Sequence, residues 1–316
     1  MRRRTLIVSA LLPLAARAAG YRVIDLMPDF WAFHARAQGL GPAEQAALFA
    51  QEVAARHPEA YAANVIGLAP DKPYDEQLAR RYERVLPLLA DRVDLMRRLS
   101  TSIARDLPRY EARFRETFPD LDYRGDIYFM HSLGGFDGGT RRVNGRTALL
   151  FGVDMIAYVY GEGIDPQPFF HHELFHIYQA QFASAGEAER DDDPIVMALW
   201  REGLATYVAQ ALNPQASGVS IFGLPRTTPA RVDANRRQLA RDLRAVLDSR
   251  AQEDYKRWFL GLRDEGAEVP ARAGYVLGYE VAKALAQRHA LPELAKLPVA
   301  GLRPEIEAAL DVLARG

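Results

Sequence analysis

Between residues 21 and 120 the apolar positions recur every three or four residues, the period of helices that bury one face. One helix opens at Pro42, behind Gly41, and covers residues 42–49. A longer one is predicted over 74–99, where Leu78, Tyr82, Val85, Leu88, Leu89, Val93 and Leu95 supply the apolar stripe, and a third over 103–118. At Tyr123 the pattern changes. Residues 126–130 and 147–153 are short aromatic and aliphatic runs, set apart by the glycine-rich stretch 134–140 and by Asn144-Gly145, and they predict strands connected through turns. Helical spacing returns at 169–177, resumes with Asp193 as cap and Pro194 as first helical residue, and continues over 228–247, 252–262 and 270–289. The periods predict an α+β fold, mostly helical, with a small sheet in the middle of the chain. A boundary near residue 121 separates a helical N-terminal region, 19–120, from the region 121–316, without implying that either folds alone.

The first 18 residues stand outside this pattern. Arg2-Arg3-Arg4, the apolar run from Leu6 to Leu14 and the Ala16-Arg17-Ala18 site make the three parts of a cleavable secretory signal. The run is too short for a membrane anchor, and the arginines suit either the twin-arginine or the general route. Composition narrows the classes further. The chain is 49% hydrophobic and 26% charged with net charge −1, and it shows no basic stripe, which excludes a nucleic-acid surface and fits an ordinary globular protein. Cysteine is absent, so an exported form has no disulfides and depends on its core. The expectation is a soluble exported protein, periplasmic or secreted, with no nucleic-acid partner and no stable membrane anchor; its oligomeric state stays open.

Candidate chemistry lies in the helix at 169–177, which contains His172-Glu173-Leu174-Phe175-His176, an H-E-x-x-H string. A spacing of four brings both imidazoles to one helix face, where their ring nitrogens can reach a single Zn2+ at about 2.0–2.1 Å. Glu173 then stands beside the metal, placed to take a proton from a zinc-bound water whose pKa falls to about 7. Such a string arises by chance in roughly one in a hundred chains of this size, so its meaning depends on a third ligand. Glu202 is the candidate, because it interrupts an apolar helical run and an unpaired carboxylate there would cost several kcal/mol. Gly203 beside it lets another backbone approach closely. The acidic run 187–193 reads as a solvated loop. His171 turns about 100° away from His172 and faces a different neighbour. Thr206, one turn beyond Glu202, is placed to hydrogen-bond a ligand, and His131, at the end of the first strand, to line the cleft. His34 and His57 read as surface or packing residues.

The H-E-x-x-H helix with Glu202 in Trp200-Arg201-Glu202-Gly203-Leu204-Ala205-Thr206 resembles the gluzincin metallopeptidases, and within them the DUF2268-like predicted zinc-dependent proteases of bacteria. A metzincin pattern would need Gly at 179 and His at 182, where this chain has Gln179 and Phe182. The resemblance implies a zincin-like core with a small mixed sheet, a zinc helix and a glutamate helix. It further implies Zn2+ held by His172, His176 and Glu202, Glu173 as general base, and a peptide or protein substrate. In that family an edge strand near the zinc helix holds the substrate backbone; by position, residues 148–153 are the candidate. Gluzincins also place a Tyr or His from a later helix opposite the metal. Here the segment Gly274-Tyr275-Val276-Leu277-Gly278-Tyr279 fits, with Tyr275 preferred as oxyanion donor and Tyr279 as the alternative. A non-catalytic zinc-binding or scaffold protein of the same fold remains open, with the presence of Glu173 counting against it.

Overall fold

The computed structural model describes residues 20–183, 192–263 and 266–316, so the signal read over 1–18 and the acidic residues 187–191 lie outside the described residues. Four strands form one sheet: β1 (Arg22–Asp25), β2 (Asp126–Met130), β3 (Gly138–Val143) and β4 (Arg146–Gly152), in the order β1-β2-β4-β3. β2 pairs in parallel with β1 and β4, setting Ile127 opposite Val23 and Leu149, while β3 runs antiparallel to β4. The sheet is therefore mixed. Helices make up most of the remainder, and among the described residues none is long and apolar enough to cross a membrane.

β2 and β4 match the aromatic and aliphatic runs of the sequence because nearly every residue in them is buried. The other two strands differ from the expectation. β1 falls in a stretch read as helical; it is mostly exposed and joins the sheet through β2, with the Arg22 guanidinium gripping the Asp126 carboxylate at 2.8 and 2.9 Å. β3 takes in only the end of the glycine-rich stretch, from Gly138, while 134–137 is loop as expected; Asn144-Gly145, both at positive φ, make the two-residue turn that joins β3 to β4. The pairing of β3 corrects the proposed substrate strand. Residues 148–152 belong to β4, which has neighbours on both sides, so the sheet edges are β1 and β3, and β3 is the one that touches the motif helix.

In the N-terminal region the helix at Pro42–Glu52 forms as expected, but the next two are divided differently, into Tyr74–Leu89 and Val93–Thr117. The predicted gap at 100–102 does not break the helix. Ser100 and Thr101 donate to the carbonyl of Arg97, and Ser102 to that of Leu99, so their hydroxyls are used within the helix that they were expected to end. A single cluster of buried side chains runs from Leu26 to Leu310, so the two sides of residue 121 share one core.

Candidate metal centre

The helix Gln167–Phe182 begins where the Asp165 carboxylate accepts the Gln167 N–H at 2.9 Å. Its middle is buried on most sides, polar residues included, as in a helix enclosed by protein. Phe170 stacks on Phe151 of β4 with ring centres 4.1 Å apart, and Phe175 packs on Phe118. His171 is fully buried on this packed side. Its Nε2 donates to the Tyr110 carbonyl at 3.0 Å and its Nδ1 accepts from Asn213 at 2.8 Å, and burial pushes its pKa down to about 4. It is a neutral clamp between helices. His172 and His176 lie on another face of the same helix, their Nε2 atoms 3.0 Å apart.

The third group arrives on the helix Ile195–Leu212. Asp193 does not cap it: the first amides, of Ile195 and Val196, donate to the carbonyls of Ser249 and Leu247, and the Asp193 carboxylate pairs with Arg201 instead. Glu202 Oε2 sits 3.3 Å from His172 Nε2 and 3.6 Å from His176 Nε2. These three side chains offer ligand atoms within 4.8 Å of one another and could hold a metal ion. Thr206 supports Glu202 through the backbone, its hydroxyl donating to the Glu202 carbonyl at 2.7 Å rather than to the carboxylate.

What fixes the far wall is a helix crossing. A Cβ on Gly203 would lie 2.3 Å from the Gly278 carbonyl carbon, and one on Gly278 would lie 2.5 Å from the Leu199 oxygen, so only glycines allow this approach. Gly278 belongs to the helix Ala273–Leu285, and the crossing therefore brings Tyr275, almost one turn earlier, beside Glu202's neighbourhood. The Tyr275 ring lies nearly parallel to that of His172, centres 6.4 Å apart. Tyr279 goes elsewhere, packing against Tyr207 and Phe222.

His172, Glu173, His176, Glu202 and Tyr275 all line one cavity of about 370 Å³. Residues 135–141, the approach to β3 and its first half, form another wall. Gly138 is pressed onto the motif helix: a Cβ there would sit 2.6 Å from the Phe169 ring and 2.7 Å from Glu173 Oε1. Any larger residue at 138 would lift β3 off the carboxylate.

The cavity separates its charges by environment. Burial raises the Glu173 carboxyl to about 8, with Asp137 and Glu202 adding to the shift and His176 opposing it. Burial would also raise Glu202, but the imidazoles of His176 and His172 hold it well below the ordinary carboxylate range. Burial lowers His172 against the pull of Glu202. Tyr275 is pushed well above 10 by burial and by the Glu202 charge, so its hydroxyl keeps its proton and remains a hydrogen-bond donor. Arg272 covers the Tyr275 ring, its guanidinium carbon 4.4 Å from the ring centre. Its backbone is left-handed at φ 60°, an uncommon state for a residue with a Cβ, just ahead of the helix that carries Tyr275.

Thus the structure gathers all five residues singled out in the sequence and leaves His131 outside. His131 is buried beyond β2, stacked on Phe30 at 4.4 Å, and does not line this cavity. His57 pairs with Asp29 at 2.7 Å and His34 stacks on Phe30, both as packing residues. Sequence reasoning missed Arg272, Asp137, Arg141 and Tyr160, which also line the cavity. Only the arginine directly ahead of Gly274-Tyr275 carried a signal, by adjacency; the others depend on the course of β3 and the helix Val153–Tyr160. Comparison with known proteins returned no matching family model, no matching curated protein and no matching solved structure.

Proposed function

We propose that the chain is an exported zinc-dependent metallopeptidase of zincin-like, gluzincin type, with zinc held by His172, His176 and Glu202 and Glu173 as general base. One observation carries this reading: the three donor atoms form a triangle with edges of 3.0, 3.3 and 3.6 Å beside a buried carboxylate in an accessible cavity. A tetrahedral ion with bonds of about 2.0–2.2 Å has ligand–ligand edges of roughly 3.3–3.6 Å, so the donor set fits zinc and leaves a fourth position over.

Zinc, when bound, would supply Lewis acidity to polarise a carbonyl and to make water nucleophilic near neutral pH. Everything else falls to the chain. Glu173 accepts the water's proton at its carboxylate and returns it to the leaving amine. The Tyr275 hydroxyl donates a hydrogen bond to the negative charge growing on the carbonyl oxygen, a contribution of about 10²–10³ in rate. β3 offers its outer edge to an extended peptide, which would bind through main-chain hydrogen bonds along the cavity wall beside Glu173.

Purified protein should contain one zinc per chain by elemental mass spectrometry. Glu173→Gln should keep that zinc and lose about 10²–10⁴ in hydrolysis, since the amide preserves packing but cannot take the proton. Substantial turnover by the zinc-replete Gln variant would exclude the general-base role. Export is supported by the pattern of residues 1–18; N-terminal sequencing should find mature protein beginning at Ala19, and Met1 on exported protein would count against cleavage.

A further inference from the structure

Three arginines line the metal-site cavity, and their partners differ. Arg201 is paired with Asp193. Arg141, on β3, donates to the Thr140 carbonyl at 2.9 Å and lies over the Phe136 ring, its guanidinium carbon 5.3 Å from the ring centre. Arg272 has neither a carboxylate nor a close carbonyl. Its Nη1 reaches the Leu224 carbonyl only at 3.5 Å, and among the described residues no carboxylate pairs with it. Its position over Tyr275 engages the charge without satisfying the N–H donors. The acidic groups whose charge reaches it, Asp137 and Glu202, are committed elsewhere: Asp137 accepts the Gly138 amide at 3.0 Å, and Glu202 stands beside two imidazoles.

Arg272 also holds a costly backbone. At φ 60° and ψ 23° it is left-handed, a state in which glycine or asparagine is at ease and a long side chain is uncommon. Such residues persist where their surroundings fix them, and they cluster at sites that bind ligands. Here the strained residue is the one that begins the helix of Tyr275 and puts a guanidinium in the cavity wall.

Two contacts set its reach. The guanidinium carbon lies 4.4 Å from the centre of the Tyr275 ring, which lies 6.4 Å from that of His172. An extended chain advances about 3.3 Å per residue, so the cation stands on the order of three residues or fewer from the metal ligand. We infer that Arg272 receives a carboxylate of the substrate, placed within about three residues of the cleaved bond. A guanidinium holds a carboxylate through two parallel N–H···O bonds, and a partly buried wall strengthens them. The free C-terminus of a short peptide and an Asp or Glu side chain both offer that group. The inference rests on the peptidase reading of the metal centre and adds to it a substrate class.

Zinc itself attracts carboxylates, so the decisive comparison is between variants. Binding is read by fluorescence anisotropy with Glu173→Gln protein and labelled peptides of Ala and Leu: one ending in a free carboxylate, its C-terminal amide, and amides carrying Asp or Asn at each inner position in turn. The free acid should bind about 10–100-fold more tightly than the amide if the C-terminus is the source, and Asp more tightly than Asn by a similar factor if a side chain is. Adding Arg272→Gln should remove the preference. Arg272→Lys, which keeps the charge and loses the fork, should retain only part of it, and serves alone if the Gln variant does not fold; both carry the same Cβ as Arg and add no backbone strain at φ 60°. Cleavage by the chain with Glu173 intact is read as kcat/KM for the preferred peptide over its neutral counterpart, a ratio in which any general loss of activity cancels, and Arg272→Gln should bring it close to one. Equal binding of acid and neutral peptides, or a preference undiminished in the Arg272 variants and so carried by zinc or Arg141, would overturn the assignment and leave the peptidase intact. A preference that depends on Arg272 in a protein that cleaves nothing would retire the peptidase reading and keep Arg272 as a carboxylate site.

Discussion

Among the described residues, two places set imidazole beside a largely buried carboxylate, and one of them faces a cavity large enough for chemistry. At the end of β2, His131 Nδ1 lies 3.7 Å from the Asp154 carboxylate, both almost wholly buried. That carboxylate is spoken for. It accepts from the Ser132 amide at 2.6 Å, the Ser132 hydroxyl at 3.1 Å and the Gly134 amide at 2.8 Å, while His131 Nδ1 accepts from the Leu133 amide at 3.2 Å. Every contact serves to hold the loop that leads to β3. At the other place His172, His176 and Glu202 aim their donor atoms at one another across a space beside a cavity of about 370 Å³. The functional groups are the same, imidazole and carboxylate, and what differs is whether lone pairs are consumed by backbone amides or left converging on a common point.

The sharpest test of that contrast removes the carboxylate from each. Glu202→Ala should weaken zinc binding by more than about 100-fold, because a direct ligand outweighs the supporting residues whose loss already costs 10–100-fold. Asp154→Ala should leave zinc content alone and destabilise the fold by about 2–4 kcal/mol in urea titration, since it strands buried amide donors. Stoichiometric zinc with unchanged affinity in Glu202→Ala would show the convergence to be only a packing arrangement. Each cluster also has its tyrosine. Tyr275→Phe should lower kcat by about 10²–10³ with little change in KM, zinc or melting temperature. Tyr61, whose hydroxyl donates to the His131 carbonyl at 3.1 Å, should do the reverse: Tyr61→Phe should cost about 1 kcal/mol of stability and leave kcat in place. Activity of Tyr275→Phe within about twofold of wild type would make it a structural residue.

The smallest effect concerns pH. Burial holds His131 below its ordinary 6.5, Asp154 opposing, so the folded imidazole stays neutral where the unfolded one takes a proton. The unfolded state then binds more protons, and stability should fall as pH drops below about 6.5. His131→Gln, which retains an acceptor for the Leu133 amide, should remove part of that slope in urea titrations at pH 7 and below; an unchanged slope would mean that His131 takes up its proton as readily in the fold as in the unfolded chain.

The sequence by itself determined the pieces of the centre whose geometry is local. A spacing of four puts His172 and His176 on one face of any helix, and the apolar residues around them say that the helix is enclosed. Glu202 was legible because a carboxylate in an apolar helix needs a partner, and Gly203 and Gly278 because glycine inside a helix signals close approach. Which residues those glycines would bring together was not legible. Tyr275 and Tyr279 lie on similar faces of one helix, and only the crossing of two helices sends the first to His172 and the second to Tyr207. The sheet edge was misplaced for the same reason: β3 and β4 both pattern as strands or turns, and their order depends on β2 pairing with β4 across an intervening strand. Arg272 shows the limit most plainly, since its left-handed backbone and its position over Tyr275 arise where three segments meet. Periodicity reports what a residue's own helix or strand does with it, whereas strand order, helix crossings and cavity walls are set by contacts between segments far apart in the chain.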